Sequence, residues 1–263
     1  MLNALTAVRF DGRTTSGRTV PARLTCTDTH GEEIEVVAKF SAGCDIGVDA
    51  LVVEAIAAML AADLGLPVPE PYLVYLDAQF VAELPDQIVA DLARRSSLIA
   101  FGSRHLPPGY TTWPVGKAIP REALPIAAEI FAYDALIVNS DRRPENPNCL
   151  FNGASLAIYD HEAAFFMRGI IGWQPPWVIG SLEQLRNGAL HLFFEQLRGR
   201  AFNLDRFAGA WLAVTDARLM QYREALPDDW MIVDERATHT LEYIARVRDN
   251  LDPALQEVRR VLS

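Results

Sequence analysis

The chain has 263 residues, half of them hydrophobic and 22% charged, so it can bury a sizeable core and is not broadly disordered. A net charge of −10 with no basic run argues against non-specific nucleic-acid binding, which depends on Lys and Arg neutralising phosphates, and no nucleic-acid partner is expected. The 3 cysteines, Cys26, Cys44 and Cys149, lie far apart without a C-x-x-C pair, which argues against a disulfide framework or a structural zinc site and fits a reducing compartment.

MLNALTAVRF has no basic segment ahead of an apolar one and does not read as a signal peptide. Residues 1–40 predict an antiparallel meander: ALTAVRF, TVPARLTCT and IEVVAKF are rich in β-branched and aromatic residues, and DGRTTSG and DTHGEE between them have turn composition. A helix is predicted over 48–64, with Val52, Ile56, Met59 and Leu60 at helical spacing, Gly65 as its cap, and Pro67, Pro69 and Pro71 barring continuation. Glu54 and Asp63 interrupt this most apolar window, which falls short of the ~18 apolar residues of a membrane span, so a cytoplasmic protein without membrane contact is expected. YLVYL and AFGSRHL read as further extended pieces.

Past the Pro/Gly-rich connector LPPGYTTWPVG the chain becomes mainly helical. PIAAEIFAYDALIVN is entered through Pro125, SLEQLRNGALHLFFEQLRG gives one or two helices, and LDRFAGAWLAVTDARLMQYREAL and DERATHTLEYIARVRDNL give two more before PALQEVRRVL. The expected fold is α+β in two lobes: residues 1–104 as an antiparallel sheet with one helix, and residues 105–263 as a helical lobe carrying a catalytic hairpin.

Between the helix ending near Val138 and that hairpin lies NSDRRPENPN, followed by the strands NCLF and SLAIYD. A turn at Asn152-Gly153 would fold Asp160 back toward Asn146. Phosphoryl transfer from a metal–nucleotide needs such a set: one acid to orient a hydroxyl and take its proton, and a second acid and an amide oxygen to hold a divalent metal. Asp141 and Asn146 have the D-x-x-x-x-N spacing of a kinase catalytic loop, and Asp160 stands where the metal-binding acid follows. Lys39, one of 2 lysines in the chain, ends IEVVAKF, and Glu54 sits fifteen residues on in an apolar, Ala-rich helix. An unpaired Glu there is costly to bury, and an ion pair with Lys39 would explain it.

The segments VVAKF, VVEAIAAMLAADLGLPVPEP, AFGSRHL, FAYDALIVNSDRRPENPNCLF and LAIYDHEAAF resemble the HipA-like kinases, above all the compact bacterial branch without the N-terminal extension of the HipA toxins. The resemblance spans nearly the whole chain. It implies a two-lobed protein-kinase-like fold, ATP between the lobes with Mg²⁺, and phosphate transfer to a protein Ser or Thr. Position by position it implies Asp141 as catalytic base, Asn146 and Asp160 as metal ligands, Lys39 on the nucleotide phosphates and Glu54 holding Lys39. The backbone around Ser103, Arg104 and His105 would be the hinge that binds adenine.

The chain departs from that family pattern in three places. Arg143 stands where HipA toxins carry His, His161 replaces the Phe of Asp-Phe-Gly, and DGRTTSGR offers only Gly12 and Gly17 as a phosphate loop. The weak phosphate loop and His161 motivate a second reading, a catalytically silent nucleotide-binding pseudokinase or scaffold, and a third reading keeps the fold and changes the acceptor to a lipid, sugar or other small molecule. Smaller alternatives also stand: Arg142 and Arg143 pair with Asp134 or Glu145 or else contact phosphate. His161 is structural or catalytic. WQPPWVIG is a substrate groove or a packed loop.

Overall fold

The computed structural model describes residues 2–14, 19–166, 172–187 and 191–263, with the side chains of residues 186–187 and 231–234 excepted. The chain divides into two compact units. The first comprises Met1–Met59, Pro69–Pro107 and Met220–Thr238; the second comprises Leu60–Val68, Pro108–Leu219 and His239–Ser263.

In the first unit the strands are β1 (Asn3–Arg13), β2 (Ala22–Thr27), β3 (Glu33–Lys39), β4 (Pro71–Tyr75) and β5 (Ile99–Arg104). Helix α1 (Val48–Asp63) begins here, and α2 (Ala78–Glu83) and α3 (Gln87–Arg95) join β4 to β5. The expected antiparallel sheet with one helix is corrected on two counts. The strands close into a barrel of order β1-β2-β3-β5-β4, in which β1 and β4 run parallel, and two further helices occupy 78–95.

Closure follows from the length of β1, whose 11 residues serve two partners. Asn3–Thr6 pair with β4, and Thr6–Arg13 pair with β2. Register shifts at Ala7/Arg9 and Phe10/Gly12 add the local twist that bends the strand around. Inside, Leu5, Leu24, Val36 and Val74 share a cluster with Val81 and Val89 of the two short helices and with Leu84, which follows the first of them. Burying each such side chain is worth about 1.5–3 kcal/mol. Gly102 on β5 has no room for a side chain: a Cβ would lie 2.6 Å from Val74 Cγ2. Gly12 lies within β1, and Gly17 falls outside the described residues.

The second unit holds a three-stranded antiparallel sheet of β6 (Thr111–Thr112), β7 (Cys149–Asn152) and β8 (Ser155–Ile158). Its helices are α4 (Leu124–Leu136), α5 (Gln184–Asn187), α6 (Phe194–Leu197) and α7 (Asp205–Leu212); α8 (Asp216–Glu224) and α9 (Asp234–Asp249) have parts in both units, and α10 (Leu251–Leu262) closes the chain. The stretch expected as one helix over 204–226 is two, because Thr215 interrupts it and caps α8, its Oγ1 accepting from the Arg218 N–H at 3.1 Å. The β7–β8 hairpin turns at Gly153–Ala154, one residue beyond the expected pair, with Asn152 opposite Ser155.

All three cysteines are buried thiols; burial pushes Cys26 up to about 12 and Cys149 to about 11, so neither is a thiolate at neutral pH. Among the described residues no helix is long and apolar enough to cross a membrane.

Candidate functional site

Lys39 is the last residue of β3 and lies buried, its Nζ 3.1 Å from Glu54 Oε2 on α1. The apolar surroundings of Glu54 made this ion pair the expected one, and it forms. Ser103 and Arg104 end β5, and His105 follows it. The Arg104 N–H donates to Glu70 O and the His105 N–H to Glu35 O, both at 2.8 Å, so the barrel itself uses those two donors.

In the second unit everything is built around the end of α4. Val138 takes a left-handed φ of 58°, and the Asn139 N–H reaches back to Asp134 O at 2.8 Å. This is a Schellman closure with Val where Gly is usual, a position that strains a β-branched residue. The sharp exit throws residues 139–148 over the helix end. There Arg143 and Asn146 exchange backbone hydrogen bonds at 3.0 and 3.1 Å, closing a tight loop that puts Asp141 and Asn146 side by side.

Asp141 Oδ2 accepts from Asn146 Nδ2 at 2.7 Å and from Asn148 Nδ2 at 3.3 Å, and Oδ1 accepts from Arg143 Nη2 at 3.1 Å. Because its amide nitrogen is spent on Asp141, Asn146 keeps its carbonyl oxygen as the end that could meet a cation. Asp160 follows β8 and is half-buried, with a left-handed φ of 61°. Such a conformation costs on the order of 1–3 kcal/mol for a non-glycine residue and persists only where its surroundings over-determine it. The Asp160 carboxylate and the Asn146 amide oxygen are hard donors of the kind that fits Mg²⁺, which is held by one or two carboxylates together with substrate phosphates and not by a full protein cage. No three His, Cys, Asp or Glu side chains gather as a metal site among the described residues.

Beneath this loop lies a buried polar cluster. Arg142, with no exposed surface, donates from Nε and Nη2 to the Asp134 carboxylate at 2.6 and 3.3 Å. Its Nη1 donates to Asn148 O and, at 3.2 Å, to Tyr159 O. Asn139 Nδ2 and His191 Nε2 complete the Asp134 shell at 2.8 and 2.9 Å. His191 Nδ1 accepts from the Phe193 N–H at 3.1 Å, so in the neutral ring Nε2 carries the proton and donates to Asp134. Of the two readings of Arg142, the pairing with Asp134 is the one observed. The sequence did not single out His191, which lies 57 residues from Asp134 and in no motif.

Burial by itself would raise the Asp134 pKa, but the Arg142 charge and the His191 and Arg142 hydrogen bonds outweigh it and hold the carboxyl well below the usual range. Burial likewise pulls His191 below its ordinary 6.5, overriding the attraction of Asp134. A histidine depressed in the folded state contributes stability above its unfolded pKa and loses it as pH falls below 6.5, because the unfolded chain binds the proton first. Asp134 adds a second loss of the same sign below 3.8. Melting temperature should therefore drop between about pH 7 and 5, and His191→Gln, which keeps a donor near Nε2, should flatten that slope in thermal melts.

His161 is buried edge-on to Tyr133, with ring centroids 5.8 Å apart. Of WQPPWVIG, Trp173 and Trp177 pack on Tyr243 at 6.3 and 6.2 Å, and Arg246 lies 5.3 Å from the Trp177 ring centroid. The Gly180 and Leu182 N–H groups donate to Glu257 Oε1 at 3.0 and 3.3 Å. This stretch is thus a packed, anchored loop.

A family model for HipA-like kinase matches residues 8–169 of the chain. Among solved structures, the chain is similar to the Helicobacter pylori proinflammatory kinase CtkA, with 11% identity, 98% of this chain and 99% of that one covered, and a TM-score of 0.54. At that identity the likeness is one of fold. It also aligns with the apo GRMZM2G135359 pseudokinase at 12% identity over 99% of this chain and 97% of that one, with a TM-score of 0.37. No curated protein matches it.

Proposed function

Starting from the membership of this chain in the HipA-like kinase family, we propose that it is an ATP- and Mg²⁺-dependent phosphotransferase acting on a protein Ser or Thr hydroxyl. The observation that carries this reading is the Asp141 carboxylate, fixed by the amides of Asn146 and Asn148 at 2.7 and 3.3 Å in a loop of kinase spacing. Asp141 orients the acceptor hydroxyl and receives its proton. Asn146 and Asp160 supply oxygen ligands, and a bound divalent cation would neutralise charge on the β- and γ-phosphates. Lys39, its amine steadied by Glu54 at 3.1 Å, is assigned to the nucleotide phosphates. Adenine is assigned to the backbone around Ser103–His105, through groups other than the Arg104 and His105 amides that the barrel uses.

One observation favours the second reading, a silent nucleotide-binding module. Arg143 pairs with Asp141 Oδ1 at 3.1 Å, so neither oxygen of the proposed base lacks a partner. That pair is solvent-exposed, with 48% and 31% of the two side chains accessible, and such pairs are worth about 0–1 kcal/mol. An incoming hydroxyl can displace it, and for that reason we favour the active enzyme.

Incubation with Mg-ATP followed by intact mass spectrometry should show added phosphate on a protein acceptor or on the chain itself. Mg-dependent ATP binding without any transfer would mark the silent module, and transfer only to lipid or small-molecule acceptors would overturn the acceptor class. Lys39→Ala and Asp160→Ala should each weaken Mg-ATP affinity by roughly 10–100-fold, the loss of one charged contact. A thermal shift with Mg-ATP equal to wild type in both variants would count against the assigned roles.

A further inference from the structure

We propose that Arg142 is a positioning residue that sets the proposed metal ligands: one buried guanidinium fixes the backbone on both sides of the pair, behind Asn146 and before Asp160. This rests on the reading of Asp141, Asn146 and Asp160 given above.

Arg142 is not itself aimed at a substrate, since it has no exposed surface and its fork is spent inward. Two of its nitrogens bind Asp134, at the end of α4, and the third binds two carbonyls from separate segments. One is the carbonyl of Asn148, which also accepts from the Tyr159 N–H at 3.1 Å and whose side chain donates to Asp141 at 3.3 Å. The other is the carbonyl of Tyr159, which directly precedes Asp160. The two residues so clamped, Asn148 at φ 41° and the Tyr159–Asp160 link with Asp160 at φ 61°, include two of the few left-handed non-glycine residues described. A planar guanidinium presents donors in a fixed fork, whereas a lysine amine is a single point on a flexible stem. Only the former can hold a carboxylate on one edge and two carbonyls on the other. Asp134 is fixed in turn by Asn139 and His191, so His191 acts on the ligands at two removes.

The test is Arg142→Lys, which keeps the charge against Asp134 and removes the fork. Calorimetry with ATP alone and with ATP plus Mg²⁺ should show wild-type affinity for the metal-free nucleotide, with the Mg²⁺-dependent gain reduced about tenfold or more. Hydrogen exchange should accelerate at the Tyr159 amide while β2 and β3 amides keep their wild-type rates. His191→Ala should move both readouts the same way by a few-fold, and His191→Gln should restore them. Arg206→Lys is the control for generic destabilisation. Arg206 pairs with Glu129 and with Leu64 O at 2.9 Å, neither of them in residues 139–148, so this change should lower the melting temperature and leave the Mg²⁺ gain intact. Where Arg142→Lys fails to fold, the two His191 variants carry the same comparison.

A wild-type Mg²⁺ gain together with unchanged exchange at Tyr159 in Arg142→Lys overturns the inference. So does an equal loss of Mg²⁺ gain in Arg206→Lys. If the wild-type protein shows no Mg²⁺-dependent ATP binding, the kinase reading itself has failed. The exchange rates then decide alone whether Arg142 holds this backbone.

Discussion

Asp141→Asn is expected to lower phosphate transfer by roughly 10²–10⁴-fold, the usual worth of a positioned general base. The substitution is isosteric, and Asp141 is half-buried in a loop whose backbone closure runs through Arg143 and Asn146, so the fold should survive. In the proposed role the lost group acts on the hydroxyl in the transition state, and the deficit should therefore fall on kcat with the KM for ATP little changed. Single-turnover transfer from γ-labelled ATP at saturating Mg²⁺, run beside a thermal melt, separates chemistry from unfolding. Transfer at the wild-type rate in a folded Asp141→Asn protein would remove Asp141 from the mechanism.

Asp134→Ala should carry the largest stability loss, about 3–5 kcal/mol, because it strands a buried charge. Arg142 has no exposed surface and would face the removed carboxylate with nothing in its place. His191 and Asn139 would lose their acceptor in the same step. Exposed pairs such as Arg94–Asp91, half-accessible on both sides, should cost no more than about 1 kcal/mol when broken. Chemical denaturation at neutral pH measures the contrast, and a cost for Asp134→Ala as small as that of the exposed pair would refute the account of the cluster. Asp134→Ala should also slow transfer, since it releases the residue that clamps Asn148 and Tyr159.

Much of the candidate site was legible along the chain. The spacing of Asp141, Asn146 and Asp160, the scarcity of lysine, and one carboxylate in an apolar helix are local or compositional signals, and each carries its chemistry with it. Arg142 was legible only as one of two alternatives, because sequence cannot say which neighbour a guanidinium will find. His191 was not legible, since nothing along the chain links it to a residue 57 positions earlier. Helices α2 and α3 were missed although their caps could be read. Asp77 accepts from the Phe80 N–H at 2.6 Å, and Asp86 accepts from the Ile88 and Val89 N–H groups at 3.0 and 3.2 Å.

By itself the sequence offered the groups proposed here for phosphate chemistry, the amine of Lys39, the carboxylates of Glu54, Asp141 and Asp160 and the amide of Asn146, because side-chain identity and short spacing can be read along the chain. It also determined most helices, through periodicity and caps. Only the tertiary structure decided that the strands close into a barrel with a parallel β1–β4 pair, and that residues 220–238 belong with the barrel unit, where Trp230 Nε1 donates to Ile99 O at 3.0 Å. It alone set the left-handed turns at Asn148 and Asp160 under a single buried guanidinium. The reason is that such contacts join residues far apart in the chain, and local propensity carries no record of a partner that arrives only when the chain has folded.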